Sequence, residues 1–226
     1  MSRYEKIITM KFPDKQYYRP EFMPWQGYGE FGVYLKVVRD SLAGHEKLYY
    51  LYSFFLQSSA VLGDVVECGV YRGGTASLLV NLMRDKCKNK KLHLFDTFNG
   101  IPNCNPELDA HQTGDFGDTT LETVKDAVGN ENLVVYHVGT IPDTFGGCDT
   151  MVVSFVHIDV DVHKAYVDCL EFFWQRLSVG GVMVLDDYGH PNTTGARKAT
   201  DDFFADKKEK PITLLKGQAV IIKISS

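Results

Sequence analysis

From about residue 64 onward, short β-branched runs alternate with stretches of helical periodicity, the pattern of a parallel sheet with crossover helices. GDVVECGV (63–70) reads as the first strand and KKLHLFDTF (90–98) as the second. Between them Leu78, Leu79, Leu82 and Met83 recur at helical spacing behind a glycine-rich turn, so this segment is one βαβ unit. A polar loop over 99–118 follows, and Thr119 with Glu122 forms a capping-box pattern ahead of Leu121, Val124 and Val128, which marks a helix start. NLVVYHVG (132–139) and MVVSFVHIDV (151–160) are the third and fourth strands. Val162, Tyr166, Cys169, Phe173 and Leu177 then form a buried helical stripe that Gly180 and Gly181 close. GVMVLDDY (181–188) is the fifth strand and ARKATDDFFADKK (196–208) a short helix. The chain ends on ITLLKGQAVIIKI (212–224), two β-rich runs broken by Gly217, which reads as an antiparallel hairpin.

Five parallel strands closed by a hairpin specify an α/β architecture of the class I methyltransferase, Rossmann-like kind: a mostly parallel sheet with a C-terminal antiparallel hairpin. The doubly wound sheet of NAD enzymes continues instead with a parallel sixth strand. The first sixty residues differ in character. They are rich in aromatics (Tyr17, Tyr18, Phe22, Trp25, Tyr28, Phe31, Tyr34), carry Pro20 and Pro24, lack strand alternation, and end in a predicted helix near 46–61. The expected organisation is an N-terminal helical cap over residues 1–62 and a ligand-binding domain over 63–226.

Composition narrows the partners. The 226 residues, 44% hydrophobic and 23% charged, suit one compact domain with a small appendage. A net charge of −5 argues against nucleic-acid and membrane-surface partners, which require clustered Lys and Arg, and favours a small ligand. The five cysteines are odd in number and lack CxxC spacing, so reduced thiols are expected. The N-terminal MSRYEKIITMKFPDKQYY has no apolar signal core, and no run approaches the roughly 18 apolar residues of a membrane span. A cytoplasmic protein is the expectation; the sequence allows a homo-oligomer without specifying one.

The chemistry lies at the strand ends. In an open parallel sheet, ligands bind beyond the carboxyl ends of the strands. Glu67 closes the first strand, Asp96 the second, Asp159 and Asp161 the fourth, Asp186 and Asp187 the fifth. ECGVYRGGT places Gly69, Gly73, Gly74 and Thr75 between strand and helix, where missing Cβ atoms let backbone approach a ligand. This is not GxGxxG. An acid two residues before the first glycine suits a ligand with a positive group near the turn, such as the amino-acid end of S-adenosylmethionine, better than a pyrophosphate. The alternative is a tight turn without a ligand. Asp96 is placed to accept hydrogen bonds from ribose hydroxyls, a role shared with NAD sites. Asp159, Asp186 and Asp187, with waters, would make an oxygen-only site suited to magnesium or calcium. Against this stand helix capping by Asp161 or His163 and a solvated turn at the Asp186–Asp187 pair.

VVECGVYRGGTA, LHLFDTFNGIP, GDFGDTTLETV, VGTIPDTF, FVHIDVDVHKAYVDCLE, GGVMVLDDYG and ARKATDDF, in that order, resemble the successive motifs of the TylF/MycF (macrocin O-methyltransferase) family over about residues 63–205. The resemblance implies S-adenosylmethionine as methyl donor, a Mg2+ ion, and a sugar hydroxyl as acceptor, on a glycosylated metabolite or a nucleotide-linked sugar. By motif position it implies Asp159, Asp186 and Asp187 as metal ligands and Asp161 as general base. It likewise implies a donor pocket of Glu67, Gly69, Gly73, Gly74, Thr75 and Asp96, with Gly139 after the third strand. His163 and His190 are rival bases, and Trp25 or Tyr28 would cover the acceptor. The segment HPNTT and the N-terminal region depart from the family pattern. Competing readings are a methyltransferase acting on a catechol or other small diol, an NAD-dependent oxidoreductase, and a non-catalytic S-adenosylmethionine-binding module.

Overall fold

A computed structural model describes residues 29–38, 40–129 and 132–225. Trp25 and Tyr28 lie outside these. Two helices, α1 (Gly29–Leu35) and α2 (His45–Ser58), precede the strand β1 (Asp64–Cys68). Then come α3 (Gly74–Lys86), β2 (Leu92–Asp96), α4 (Leu121–Val128), β3 (Val134–Val138), β4 (Val153–Ile158), α5 (His163–Arg176), β5 (Leu177–Leu185) and α6 (Thr194–Phe203). The short β6 (Ile212–Thr213) and β7 (Ala219–Ile222) complete a seven-stranded sheet of order β3-β2-β1-β4-β5-β7-β6. β1 to β5 pair in parallel, and β7 pairs antiparallel with both β5 and β6, as the terminal Gly217 turn predicts.

Period-two alternation divides each central strand between two cores. Val65, Phe155, Val182 and Val184 face α1, α2 and α3, where Phe31, Leu48, Leu51, Phe55, Leu78 and Leu82 pack. Val66, Cys68, Val156, Ile158, Met183 and Leu185 face α5 and α6, against Tyr166, Leu170, Phe173 and Ala199. All six residues of β4 are buried because helices cover both faces. The described part of the N-terminal region is therefore a helical layer on the sheet, with Phe55 edge-on to Phe155 at 5.8 Å. Each fully buried large side chain contributes roughly 1.5–3 kcal/mol. No described helix is long and apolar enough to cross a membrane.

Two local expectations are corrected. Thr120, not Thr119, caps α4, accepting from the Thr123 amide; the Thr119 hydroxyl instead donates to Tyr71 O at 2.6 Å and ties the cap to the glycine turn. Gly180 and Gly181 do not end α5, which stops at Arg176. They lie inside β5, where a Cβ on Gly181 would come 2.7 Å from both Leu177 Cδ1 and Ser178 O. The tight bend there is a backbone requirement of the strand, and it looks like a helix terminator when only the helical stripe is followed.

Register sets up the site. Glu67 lies beside His157 and Cys68 beside Ile158 across β1 and β4, while Ile158 lies beside Leu185 across β4 and β5. The next residues continue the ladder: the Asp159 amide donates to Cys68 O (2.8 Å) and the Asp186 amide to Ile158 O (2.9 Å). Gly69 completes it in a left-handed conformation (φ 82°), where a Cβ would sit 1.8 Å from Asp159 O. Gly69→Ala is therefore expected to destabilise the protein by about 3 kcal/mol or more, through clash and strain together. Chemical denaturation checks this, and a variant within about 0.5 kcal/mol of the parent would contradict the close approach.

Candidate active site

A cavity of about 370 Å3 opens at the carboxyl ends of the strands. That lies within the roughly 300–1,000 Å3 of small-molecule sites. One wall is the β1–α3 turn, with Gly69, Tyr71, Gly74 and Thr75, together with Asp96 and Gly139. Asp96 organises this wall. Its Oδ2 accepts from the Val70 amide (2.6 Å) and the Tyr71 amide (3.1 Å), and its Oδ1 accepts from the Phe98 amide (2.7 Å), while the Thr97 hydroxyl beside it donates to Gly100 O (2.7 Å). Those three amide donors engage most of a carboxylate's acceptor capacity, so Asp96 shapes the turn as well as facing the cavity. Gly73 adopts a left-handed conformation (φ 83°) at the start of α3 and packs against Val124 of α4.

Of the predicted donor-pocket residues, Gly73 and Glu67 are not on the cavity lining. Glu67 is fully buried, with Oε1 2.8 Å from His157 Nδ1. On the far side of the same imidazole, Nε2 lies 3.6 Å from Asp186 Oδ1. Asp186 Oδ1 also accepts from Gln218 Nε2 (2.7 Å), and Asp186 Oδ2 is ion-paired with Lys47 of α2.

The same cavity gathers the acids. Asp159 belongs to two clusters, one with Asp161 and Asp187 and the other with His157 and Asp186. In each, the potential ligand atoms lie within 4.8 Å of one another; neither cluster contains both Asp186 and Asp187. Asp161 turns back in a left-handed conformation (φ 60°), so that its amide donates to Asp187 Oδ2 at 3.1 Å. Asp187 Oδ2 is also 3.0 Å from the Tyr166 hydroxyl. No described residue donates a hydrogen bond to the Asp159 carboxylate. An underemployed carboxylate among like charges calls for a cation, and the carboxylate oxygens that Asp159 shares with Asp187 in one cluster and with Asp186 in the other fit a hard divalent ion.

The charges respond accordingly. Burial first, then Asp186 and Asp187, hold the Asp159 carboxyl well above the usual range. Burial and then Asp187 push Asp161 up to about 8, and burial and then Asp186 push Asp187 up to about 6. Asp186 behaves oppositely: burial raises it, but His157 and Lys47 outweigh burial and hold it below the usual range. Burial also works against a charge on His157, yet Asp186 and Glu67 prevail and lift it to about 10.

The rival readings of these residues separate. The first amide of α5, that of His163, is capped by Asp109 Oδ1 (2.8 Å), so neither Asp161 nor His163 caps this helix with its side chain. Asp186 and Asp187 are buried, not a solvated turn. His190 lines the cavity and His163 does not. Sequence reasoning missed His157, Lys47 and His111; the last has Nε2 3.6 Å from Asp161 Oδ1 and Nδ1 3.2 Å from Asp115 Oδ2. Strand parity could have found His157, which precedes Asp159 by two and pairs with Glu67. Lys47 and His111 come from elements distant in sequence and carry no local signal.

This sheet order and its strand-end cavity define an α/β fold shared with solved O-methyltransferases. The O-methyltransferase NovP superposes with a TM-score of 0.73 at 23% identity, over 82% of each chain. The calicheamicin methyltransferase CalS11 gives 0.67 at 17% identity, over 85% of this chain and 90% of that one. The macrocin-O-methyltransferase (TylF) family model matches residues 40–223, and the chain belongs to that family. Among its relatives, the tetracenomycin-C rhamnosyl 4'-O-methyltransferase of Streptomyces olivaceus is 28% identical over 143 residues, 58% of this chain and 55% of that protein. The mycinamicin III 3''-O-methyltransferase of Micromonospora griseorubida is 29% identical over 147 residues, 58% of this chain and 57% of that protein. The match thus spans little more than half the length of these relatives.

His157 is the buried cation between Glu67 and Asp186, so its ring is expected to remain protonated at pH 8, read by nitrogen NMR; a neutral ring would contradict the assignment. Because the folded-state value (about 10) exceeds the ordinary imidazole value of 6.5 that holds in the unfolded chain, its contribution to stability is complete below the unfolded value and disappears as pH rises through the folded one. His157→Gln should cost about 3–5 kcal/mol at pH 6 by stranding two buried carboxylates, and the deficit should shrink above pH ~10.

Proposed function

We propose that the protein is an O-methyltransferase that uses S-adenosylmethionine and a divalent metal, Mg2+ by preference, to methylate a hydroxyl of a sugar or glycosylated small molecule. One observation carries the reading: the glycine turn and the four strand-end acids line a single cavity. Family membership and the names of the sugar-modifying relatives support the acceptor class.

Bound, S-adenosylmethionine supplies an electrophilic methyl group and the dication lowers the pKa of an acceptor hydroxyl. The chain's own residues do the rest. Gly69, Gly73 and Gly74 keep the turn free of Cβ atoms, and Asp96 holds the Val70 and Tyr71 amides so that this wall keeps its shape. Thr75 and Gly139 complete the donor side of the cavity. Glu67 contributes through His157. Asp159, central to both acid clusters, would hold the metal with Asp187 from one cluster and Asp186 from the other. Asp161, in one cluster with Asp159 and Asp187, would take the hydroxyl proton at a carboxylate oxygen. His111 Nε2, 3.6 Å from Asp161 Oδ1, gives that proton an exit toward Asp115, which is on the protein surface. Alignment of acceptor and donor in a closed cavity supplies the remaining acceleration.

The test is to incubate the enzyme with S-adenosylmethionine and a panel of nucleotide-linked sugars, glycosylated metabolites and catechols, scoring the mass gain of one methyl. Sugar-bearing acceptors should react, a chelator should stop the reaction, and added Mg2+ should restore it. Asp187→Asn should lower turnover about a hundredfold or more while S-adenosylhomocysteine binding, read by calorimetry, persists. Undiminished turnover in chelator would remove the metal from the proposal, and methylation confined to catechols would remove the sugar.

A further inference from the structure

Lys47 lies in the first turn of α2, on the helix face that Leu48 and Leu51 bury against the sheet. A lysine pointing into such a layer loses hydration, and its side chain is only 17% exposed. Its ammonium is ion-paired with Asp186 Oδ2 and lies 3.3 Å from the Asp186 carbonyl. Both Lys47 and Asp186 line the cavity with Asp159, Asp161 and Asp187. Among the described residues, His157 and Lys164 also stand near the acids, and both are otherwise engaged. His157 is shared with Glu67, and Lys164 reaches out to Asp168 with its side chain 75% exposed. Lys47 has no ion pair other than Asp186 among the described residues.

Resting on the metal-site reading above, we propose that Lys47 sets how strongly the acid cluster holds a divalent cation: its ammonium, fixed on Asp186, competes with the metal for that carboxylate. A fixed positive charge beside a dication site weakens binding by direct repulsion and by occupying a ligand oxygen. It also moderates the repulsion among four clustered carboxylates, which permits an acid-rich cavity without very tight metal retention. Lys47 is thus a positioning residue acting through Asp186, and it makes α2 part of the reaction centre.

The experiment is a calorimetric titration of Mn2+ into the full chain and into Lys47→Met and Lys47→Arg. Lys47→Met is expected to bind Mn2+ at least about tenfold more tightly than the parent, and Lys47→Arg, which keeps the charge, within about threefold of it. A role limited to docking α2 predicts equal or weaker binding by Lys47→Met, and that result overturns the proposal. So does a rise of the same size in Lys47→Arg. If neither the parent nor Lys47→Met binds Mn2+, the metal site itself is wrong and the role of Lys47 falls with it; binding by the parent with no gain in Lys47→Met refutes Lys47 alone. Should Lys47→Met fail to fold, Lys47→Gln, neutral but still able to hydrogen-bond Asp186, is held to the same tenfold criterion.

Discussion

The structure turns on the repulsion among four carboxylates that the sheet brings to one place. Parallel pairing of β4 with β5 makes the Asp186 amide a donor to Ile158 O, and this ladder bond sets the two acidic pairs side by side. Like charges in a poorly hydrated cavity either take up protons or recruit cations. The protein does some of each: Asp159, Asp161 and Asp187 hold protons more tightly than usual, while Asp186 stays ionised beside His157 and Lys47. The residual demand for positive charge is what suits this wall to a metal and, beyond it, to a ligand bearing a sulfonium.

The rest of the architecture serves that cluster. Gly69 must lack a side chain because Asp159 O occupies the space. Glu67 lies behind the cluster as counter-charge to His157, so the two acid-bearing strands β1 and β4 are joined electrostatically as well as by their ladder. Tyr166 of α5 reaches Asp187 and fixes one of its oxygens, and Gln218, just before β7, fixes one oxygen of Asp186. The antiparallel hairpin thereby contributes a polar contact to the site as well as closing the sheet.

Much of this was legible in the sequence. Alternation and helical spacing marked all five parallel strands and the hairpin, because central strands buried on both faces leave long apolar runs, and four of the five runs end on acids. What the sequence hid were features set by three-dimensional neighbours. Thr119 and Thr120 both satisfy a capping pattern, and only the proximity of Tyr71 O decides which one caps. Gly180 and Gly181 serve a bend within β5 that resembles a helix stop. Glu67 looked like a ligand-facing acid because its position at the end of the first strand was followed without the parity of the fourth, and nothing local in HEKLYY announces that Lys47 meets Asp186 139 residues on.

The central claim is that the strand-end acids grip one divalent cation, and X-ray data from a crystal equilibrated with Mn2+ test it most directly. The account requires an anomalous peak bounded by the carboxylates of Asp159 and Asp187, with oxygens roughly 2.1 Å away. The absence of a peak there at saturating Mn2+, or one found only elsewhere on the molecule, would contradict it.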